Sequence, residues 1–253
     1  KYKIPTAKYG FFDNFNKAKN FINKNKVPIV IKADGLASGK GVYICKSKNQ
    51  AIKSIKEVLS GKFKSSSKVL LEEFLNGEEM SYFIIADKNN FKFFGTAQDH
   101  KRVGENDTGL NTGGMGAYSP SAIINNKLEH KIIEKIIKPT LKALKEKKHP
   151  YRGFLYVGLM IVKNEPYLIE YNVRMGDPEC QTIMARLNTD FLTIVKSIIN
   201  DNLKKIKINW KKEKSMCIVL CSKGYPGKHL KNIEIKNINN LNLKKNEFLF
   251  HAG

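Results

Sequence analysis

Glu170 and Asn172 stand two residues apart at the end of an apolar run, Tyr167-Leu-Ile-Glu-Tyr-Asn. Side chains alternate between the two faces of a strand, so both of these side chains point to the same side. A carboxylate next to an amide oxygen suits Mg²⁺, which takes few protein ligands and completes its octahedron with phosphate and water. Spacing alone leaves a second interpretation open, in which two polar residues simply end a strand.

The segment that follows, Val173-Arg-Met-Gly-Asp-Pro-Glu-Cys-Gln181, is dense in charge. Arg174 can bind a phosphate or a carboxylate through two hydrogen bonds, and Asp177 and Glu179 can order a metal, a substrate amine or the loop itself. The alternative is a polar turn in which Asp177 caps the next helix and Pro178 takes its first position. The two interpretations are compatible.

A glycine-rich stretch, Gly35-Leu-Ala-Ser-Gly-Lys-Gly41, separates two β-branched runs within residues 28–45. This pattern predicts a hairpin whose tip can turn backbone N–H groups toward a phosphate, with Lys40 adding a positive charge. It is not a P-loop, because Gly41 follows the lysine where Ser or Thr is required and the continuation is strand-like. An ordinary glycine-rich hairpin is the alternative.

Two further polar segments could contribute to a site. The connector Glu72-Glu-Phe-Leu-Asn-Gly-Glu-Glu79 can offer backbone groups to an adenine and a carboxylate to ribose, or can be a solvated acidic linker. Residues 98–120 are expected to form one long polar loop, and a loop of that length in a compact domain is usually functional. It holds Asp99 to Arg102 and a glycine run at 112–116, a combination that can fold over a phosphorylated substrate.

Periodicity places these segments on regular elements. Residues 14–73 predict an α-β-β-α-β unit, with Asp13 or Asn14 capping the first helix and Gly61 ending the second. The remaining expectations are strands at 80–86, 91–97, 153–162, 167–171, 216–222 and 248–250, and helices at 125–147, 179–187 and 190–200.

Composition limits the function classes. The 253 residues are 42% hydrophobic and carry a formal net charge of +22. That balance suits nucleic acid, but lysines at 127, 131, 135, 138, 142 and 145 repeat at helical spacing opposite apolar residues, which indicates a solvated helix face. Nucleic-acid binding is therefore not expected. Membrane insertion is not expected either, because no uninterrupted apolar run is long enough to span a bilayer. Cys217 and Cys221 lie four apart and are expected to pack in the core, and four unpatterned cysteines favour a reducing, cytoplasmic compartment.

Several long motifs together resemble one family. The glycine-rich hairpin, the acidic connector and the strand-end Glu-x-Asn occur in this order in ATP-grasp enzymes. More narrowly, the chain resembles the phosphoribosylamine–glycine ligase family along its whole length, in IVIKADGLASGKGV, EEFLNGEEMSYFI, QDHKRVGENDTGLNTGGMGAYSP, GFLYVGLM and RMGDPECQ. The departures are small and remove no charged group from the expected site; they are Leu110, Val173, Cys180 and Ile183.

The resemblance implies a role for individual residues. ATP would be bound by Lys32, Gly35, Ser38, Gly39, Lys40, Gly41, Glu73, Leu75 and Glu79, with the backbone of Glu73 and Leu75 at adenine and Glu79 at ribose. Mg²⁺, with Mn²⁺ as the alternative ion, would be bound by Glu170 and Asn172. The catalytic residues would be Lys40, Arg174 and Asp177. Glycine or 5-phosphoribosylamine would contact Asp99, Lys101, Arg102, Thr112, Gly113 and Gly114.

The resemblance also implies an architecture and a reaction. The fold class is α+β, an ATP-grasp fold of two α+β lobes that clamp ATP, followed by the start of a small β-rich domain. The expected divisions are a small lobe at 1–76, a large lobe at 77–207 and a partial C-terminal domain at 208–253. The family's N-terminal domain, and an ATP-contacting lysine of the fold, would precede Lys1, so the sequence is expected to be a piece of a longer chain.

The implied reaction is ATP-dependent ligation of glycine to 5-phosphoribosylamine through a glycyl phosphate, in a monomer or weak homo-oligomer. Such phosphoryl transfer needs positioning and charge neutralisation more than a protein nucleophile. Two alternatives stay open: another ATP-grasp carboxylate–amine ligase or carboxylase, and a basic nucleic-acid-binding module.

Overall fold

The computed structural model describes residues 1–35, 41–63 and 67–252. The strands are β1 (Tyr9–Phe12), β2 (Ile29–Ala33), β3 (Val42–Cys45), β4 (Val69–Glu73), β5 (Glu78–Asp87), β6 (Asn90–Asp99), β7 (Arg102–Gly104), β8 (Thr108–Asn111), β9 (Gly116–Ser119), β10 (Gly153–Val162), β11 (Glu165–Asn172) and β12 (Ser215–Ile218). The helices are α1 (Phe15–Lys24), α2 (Lys48–Leu59), α3 (Asn126–Ile132), α4 (Lys138–Glu146), α5 (Glu179–Arg186) and α6 (Phe191–Ile199).

The first 73 residues form a four-stranded antiparallel sheet, in the order β1-β4-β2-β3, with α1 and α2 on one face. The predicted α-β-β-α-β unit is confirmed. Asn14 caps α1 by accepting a hydrogen bond from the backbone N–H of Lys17. The structure adds β1 at the edge of the sheet, before the predicted unit begins.

The apolar side chains of this sheet sort by face. Ile29, Ile31 and Leu71 are buried beneath the two helices. Lys32 and Glu72 alternate with them and therefore lie on the helix-free face. That face keeps its polar and partly exposed side chains available to a ligand.

A six-stranded antiparallel sheet, in the order β11-β10-β5-β6-β9-β12, forms the larger layer. One face packs under the segment from α3 to α4 through residues such as Tyr82, Val157 and Leu159. The opposite face packs against α5 and α6, where Phe83 and Tyr156 of the sheet meet Ile183 of α5. Two helical layers therefore enclose the sheet, and the candidate site lies at one end of the α5 face.

The predicted lysine-faced helix at 125–147 is confirmed as a continuous helical segment. Asn125 caps α3, a π-helical turn spans Ile133–Ile137, and α4 completes the segment. Several of its lysines are ion-paired rather than free: Lys131 and Lys135 both bind Glu165, and Lys138 binds Glu134.

The prediction of one long loop at 98–120 was wrong in part. Within it β7 and β8 form a small hairpin, and β9 joins the large sheet between β6 and β12. No apolar alternation in the sequence marks these strands, because β7 and β8 are largely exposed and β9, although mostly buried, consists of Gly, Ala, Tyr and Ser. Asn106, at φ +54°, lies in the connection between β7 and β8.

The chain divides by contacts into two compact units, residues 1–219 and 220–253, and the domain boundaries expected from sequence stay a prediction. The predicted strand at 216–222 ends at Ile218, so Cys221 is exposed outside it, and Cys217 is only partly buried. The expectation that both cysteines pack in the core was therefore wrong. The strand predicted at 248–250 was also wrong: residues 220–252 contain no strand, since these segments find no pairing partner there. In the described part of the chain, no helix is long and apolar enough to cross a membrane.

Candidate functional site

Neighbouring strands bring several polar residues together on the α5 face of the large sheet. The register places Glu170 opposite Gly158, and Gly158 opposite Ser81. It also places Asn172 opposite Tyr156, whose ring packs edge-on against Phe83 in the core beneath α5. Residues directly opposite each other in antiparallel strands share a face. The Glu-x-Asn pair therefore lies on the same sheet face as Tyr156 and Ser81.

The predicted metal ligands are adjacent. Asn172 donates from Nδ2 to Glu170 Oε1 at 3.3 Å, which confirms that the two side chains share a face. A Cβ on Gly158 would lie 3.2 Å from Glu170 Cγ, so the absence of a side chain there gives the glutamate its space.

The donor set fits a hard cation. Glu170 is exposed, and the Asn172 amide oxygen adds a second ligand of the type that Mg²⁺ prefers. Among the described residues, no group of three or more His, Cys, Asp or Glu side chains could hold a metal. A site made from these two ligands would need other oxygens, such as those of phosphate and water, to complete the coordination.

The turn at 173–178 follows β11 directly. Arg174 is exposed and donates from Nη1 to the carbonyl of Met175 at 2.8 Å. Asp177 is exposed, and its Oδ1 accepts a hydrogen bond from Gln181 Nε2 at 2.7 Å. The alternative interpretation, in which Asp177 caps the next helix, was wrong: Pro178 occupies the position before α5, and no side chain of the described residues caps that helix. Both charged groups are therefore available at the surface of the turn.

A cluster of carboxylates lies under this turn. Burial raises the pKa of Asp99 to about 7, and the negative charges of Glu179, Glu79 and Asp177 add to the increase, whereas Lys101 opposes it. One carboxylate oxygen of Asp99, Oδ1, is buried without a hydrogen-bond partner among the described residues. The surroundings of Asp99 therefore disfavour its negatively charged form unless a positive charge compensates it.

Lys101 supplies positive charge to the same cluster. It forms an ion pair with Glu79, whose attraction raises the pKa of Lys101 above its ordinary value although burial alone would lower it. Lys101 is therefore held as a cation beside Asp99. The pairing also means that Glu79, which the resemblance places at the ATP ribose, is held by a lysine.

The glycine run at 112–116 packs directly on this cluster. The Thr112 hydroxyl donates to the Lys101 carbonyl at 3.0 Å and accepts from the Gly114 N–H at 3.0 Å. Gly114 has φ +124°, and a Cβ there would lie 2.5 Å from Pro178 Cδ and 2.9 Å from Asp99 Oδ1. Only glycine allows this close approach between the two loops, whereas the neighbouring Gly113 is exposed.

Arg102 contacts the β7–β8 hairpin rather than the carboxylate cluster around Asp99. Its Nη1 donates to the Gly109 carbonyl at 2.9 Å, within the β7–β8 hairpin. The side chain supports the hairpin in this conformation, and its expected contact with substrate stays a prediction.

The expected ATP residues are distributed over the small sheet and the connector. Lys32 pairs with Glu72 at 2.6 Å on the helix-free face. Gly35 has φ +148°, and the Gly41 carbonyl accepts from the Ala33 N–H at 2.9 Å. Ser38, Gly39 and Lys40 lie outside the described residues. The Glu73 N–H donates to the Lys8 carbonyl, so this group is already engaged, and Leu75 is half-buried in the connector after β4.

Sequence reasoning missed three residues of this region: Glu72, Ser81 and Tyr156. The alternation of β4 could have identified Glu72, since it shares a face with Leu70, which lies opposite Lys32. Ser81 and Tyr156 lie inside apolar strands, and only the register shows that they meet. Their hydroxyl groups are 3.2 Å apart.

Comparisons with known proteins identify the family of this chain. The family model described as "Phosphoribosylglycinamide synthetase, ATP-grasp (A) domain" matches residues 1–180. The phosphoribosylamine–glycine ligase of Brucella melitensis is 42% identical over 100% of this chain and 60% of its own length. The chloroplastic enzyme of the same name from Arabidopsis thaliana is 44% identical over 100% of this chain and 48% of its own length.

A solved structure is similar in fold. The crystal structure of phosphoribosylamine–glycine ligase from Thermotoga maritima superposes with a TM-score of 0.79 at 35% identity, over 89% of this chain and 57% of that one. The predicted ATP-grasp fold is thereby confirmed. The chain spans about half to 60% of the length of these relatives. It belongs to the phosphoribosylglycinamide synthetase family, whose ATP-grasp domain accounts for residues 1–180.

Proposed function

We propose that the protein to which this chain belongs ligates glycine to 5-phosphoribosylamine at the expense of ATP. A glycine carboxylate oxygen attacks the γ-phosphorus of ATP, which gives glycyl phosphate and ADP. The amine nitrogen of 5-phosphoribosylamine then attacks the glycyl carbon. The C–N bond forms, the C–O bond to phosphate breaks, and the amine loses a proton. The products are glycinamide ribonucleotide, ADP and phosphate.

The observation that carries this proposal is the adjacency of Glu170 and Asn172 at the start of the Arg174 turn. Together with membership of an ATP-grasp family, it supports a nucleotide site at this end of β11. Mg²⁺ bound by the pair would neutralise phosphate charge during transfer. Arg174, exposed two residues further on, would stabilise the transferring phosphoryl group or the acyl phosphate.

Lys32 supports the same proposal from the small sheet. Its ammonium group lies on the helix-free face, held at 2.6 Å by Glu72, where it would contact the ATP phosphates. Lys40 and the loop around Ser38 and Gly39 are assigned to the same phosphates by resemblance. The connector would bind adenine through the backbone of Glu73 and Leu75, and Glu79 would contact the ribose.

Asp99, Lys101, Thr112, Gly113 and Gly114 would line the glycine or phosphoribosylamine pocket with Asp177 and Arg102. The mixed charge of the cluster suits a substrate that carries both an ammonium and a carboxylate or phosphate. Asp99, with a pKa of about 7, is matched to accept a proton from an amine near neutral pH.

The cellular setting is part of the proposal. We expect a monomer or weak homo-oligomer in the cytoplasm, acting on small molecules and not on nucleic acid or membranes. Sedimentation of the full-length protein tests the first point and cell fractionation tests the second. Recovery in an organelle, as the name of the Arabidopsis relative states for that enzyme, would contradict a cytoplasmic location.

Substrate-dependent release of ADP by the full-length protein tests the reaction. ADP should form with glycine and phosphoribosylamine together, and the product should contain one glycine per ADP released. Bicarbonate and other amino acids serve as alternative carboxyl substrates. Equal ADP release with one of them would assign the protein to a different ATP-grasp ligase or carboxylase.

A further inference from the structure

Glu179 is a buried carboxylate that the proposed reaction does not use. It lies in the first turn of α5, with only 3% of its surface exposed. The Ser81 hydroxyl donates to its Oε1 at 2.9 Å, and the same hydroxyl lies 3.2 Å from the Tyr156 hydroxyl. Burying a carboxylate is costly unless hydrogen bonds and nearby charges compensate it. Its contacts therefore indicate what it holds in place.

The carboxylate lies directly against the backbone of the Arg174 turn. A Cβ on Gly176 would be 2.5 Å from the Glu179 carboxylate carbon, closer than any side chain can approach. The Cys180 N–H donates to the Gly176 carbonyl at 2.9 Å, which joins the turn to α5. The position of the turn is thus tied to the position of this carboxylate.

The other side of the same network reaches the proposed metal ligands. Tyr156 lies opposite Asn172, and its Cε1 would be 3.1 Å from a Cβ on Gly158. Glu170 Cγ approaches that same point to 3.2 Å. Glu179, Ser81 and Tyr156 therefore form a continuous path from the turn to the strand that carries Glu170.

We propose that Glu179 is a positioning residue, which holds the Arg174–Asp177 turn in register with Glu170 and Asn172 through Gly176, Ser81 and Tyr156. It does not touch substrate in this role. The inference rests on the proposed function for its catalytic consequence, but the structural coupling is testable without turnover. The charged groups that interact electrostatically with the Asp99 carboxyl are Glu179 on α5, Glu79 on β5, Lys101 after β6 and Asp177 in the turn. The variants below remove the charge of Glu179.

The deciding experiment is hydrogen exchange of the full-length protein, followed by mass spectrometry of a peptide that covers residues 173–181. Glu179→Gln keeps the size of the side chain and removes its charge, which should accelerate exchange in this peptide about tenfold. Glu165→Gln, a surface carboxylate paired with two lysines, is the matched control and should leave the peptide unchanged. Unchanged exchange in Glu179→Gln would overturn the proposal.

A double-substitution cycle tests the contact itself by the same readout. Gly176→Ala should accelerate exchange because its methyl group cannot fit beside the carboxylate. In a Glu179→Ala background that obstacle is absent, so adding Gly176→Ala should change exchange less than about twofold. Independent effects of the two substitutions would mean that the residues do not act together, which would also overturn the proposal.

Kinetics separate a positioning role from general loosening. Glu179→Gln should lower kcat for glycine ligation about tenfold and leave the affinity for a non-hydrolysable ATP analogue within about twofold. The acid limb of the pH profile should move to lower pH, because removing a neighbouring negative charge lowers the pKa of Asp99. A loss of ATP affinity equal to the loss of kcat would overturn the positioning role. If the wild-type protein does not ligate glycine, the proposed function fails, and the exchange results still decide this inference.

Discussion

At the scale of single residues, Asp99 is a carboxyl group whose ionisation the folded structure disfavours. Burial and the negative charges of Glu179, Glu79 and Asp177 disfavour its ionised form, and the positive charge of Lys101 opposes them. Its pKa of about 7 means that the folded chain binds this proton more tightly than an unfolded chain does, where the ordinary value is 3.8. Ionisation of Asp99 therefore lowers stability as pH rises from about 4 to about 7 and has no further effect above that range.

Asp99→Asn tests this assignment. At pH 8 the wild-type carboxylate is ionised and the substitution removes a buried negative charge, so the midpoint of thermal unfolding should rise. At pH 5 the wild-type group is already neutral, and the difference should be much smaller. Thermal melts of the full-length protein at both pH values measure it. An equal difference at the two pH values would contradict the raised pKa.

Lys32 makes a second prediction at this scale. A hydrogen bond from a charged donor contributes about 1.5–3 kcal/mol, so Lys32→Met should weaken binding of a non-hydrolysable ATP analogue at least about tenfold. Calorimetric titration of the full-length protein measures the dissociation constant. Lys53→Met, which removes an exposed lysine from α2 of the same lobe, is the control and should bind normally. Wild-type affinity in Lys32→Met would remove Lys32 from the phosphate site.

At the scale of elements, apolar periodicity was sufficient wherever a segment buries one face. It predicted α1, α2, the lysine-faced helix and the strands that flank the site, and the period of two placed Glu170 and Asn172 on one side. It failed where a strand buries no apolar face or finds no partner. The β7–β8 hairpin is largely exposed, with Val103 and Leu110 at its surface, and the segment at Phe248–Phe250 has the composition of a strand but no described partner.

The candidate site was predictable only in part for the same reason. Resemblance supplied most of its residues, but Ser81 and Tyr156 became visible only through strand register. The ion pair of Glu79 with Lys101 is a product of packing, which spacing in the sequence does not encode. The same holds for Oδ1 of Asp99, which is buried with no hydrogen-bond partner in the part of the chain that the structure describes.

A substitution at Gly114 tests whether the glycine run at 112–116 packs tightly against the turn at 173–178. Gly114→Ala forces alanine to φ +124° and places its Cβ against Pro178 and Asp99. Gly153→Ala is a matched control, because it has nearly the same backbone angle, φ +125°, and apart from the adjoining residues no described atom lies within 4 Å of the added carbon.

Both variants should lose about 1–3 kcal/mol from backbone strain. Gly114→Ala should lose about 1–3 kcal/mol more from overpacking. Chemical denaturation of the full-length variants measures both free energies of unfolding. Equal losses would show that the loops do not press together at Gly114.

At the scale of the whole molecule, the net charge of +22 is the feature that favours a different function. Lysine pairs with Glu165 and Glu134 neutralise part of the basic helix face. We therefore expect only non-specific nucleic-acid binding, with a dissociation constant no tighter than about 1 μM for duplex DNA at 0.15 M salt. Fluorescence anisotropy measures this. Tight binding without ATP, lost steeply as salt rises, would favour a nucleic-acid-binding module instead.

The most direct test of the account is a calorimetric titration of the full-length protein with a non-hydrolysable ATP analogue, with and without Mg²⁺. The wild-type protein should bind more tightly with Mg²⁺, and Glu170→Ala should lose that increase while it keeps the metal-independent part. Binding that does not depend on Mg²⁺, or an Mg²⁺-dependent increase that survives in Glu170→Ala, would contradict the placement of the metal–nucleotide site at the end of β11.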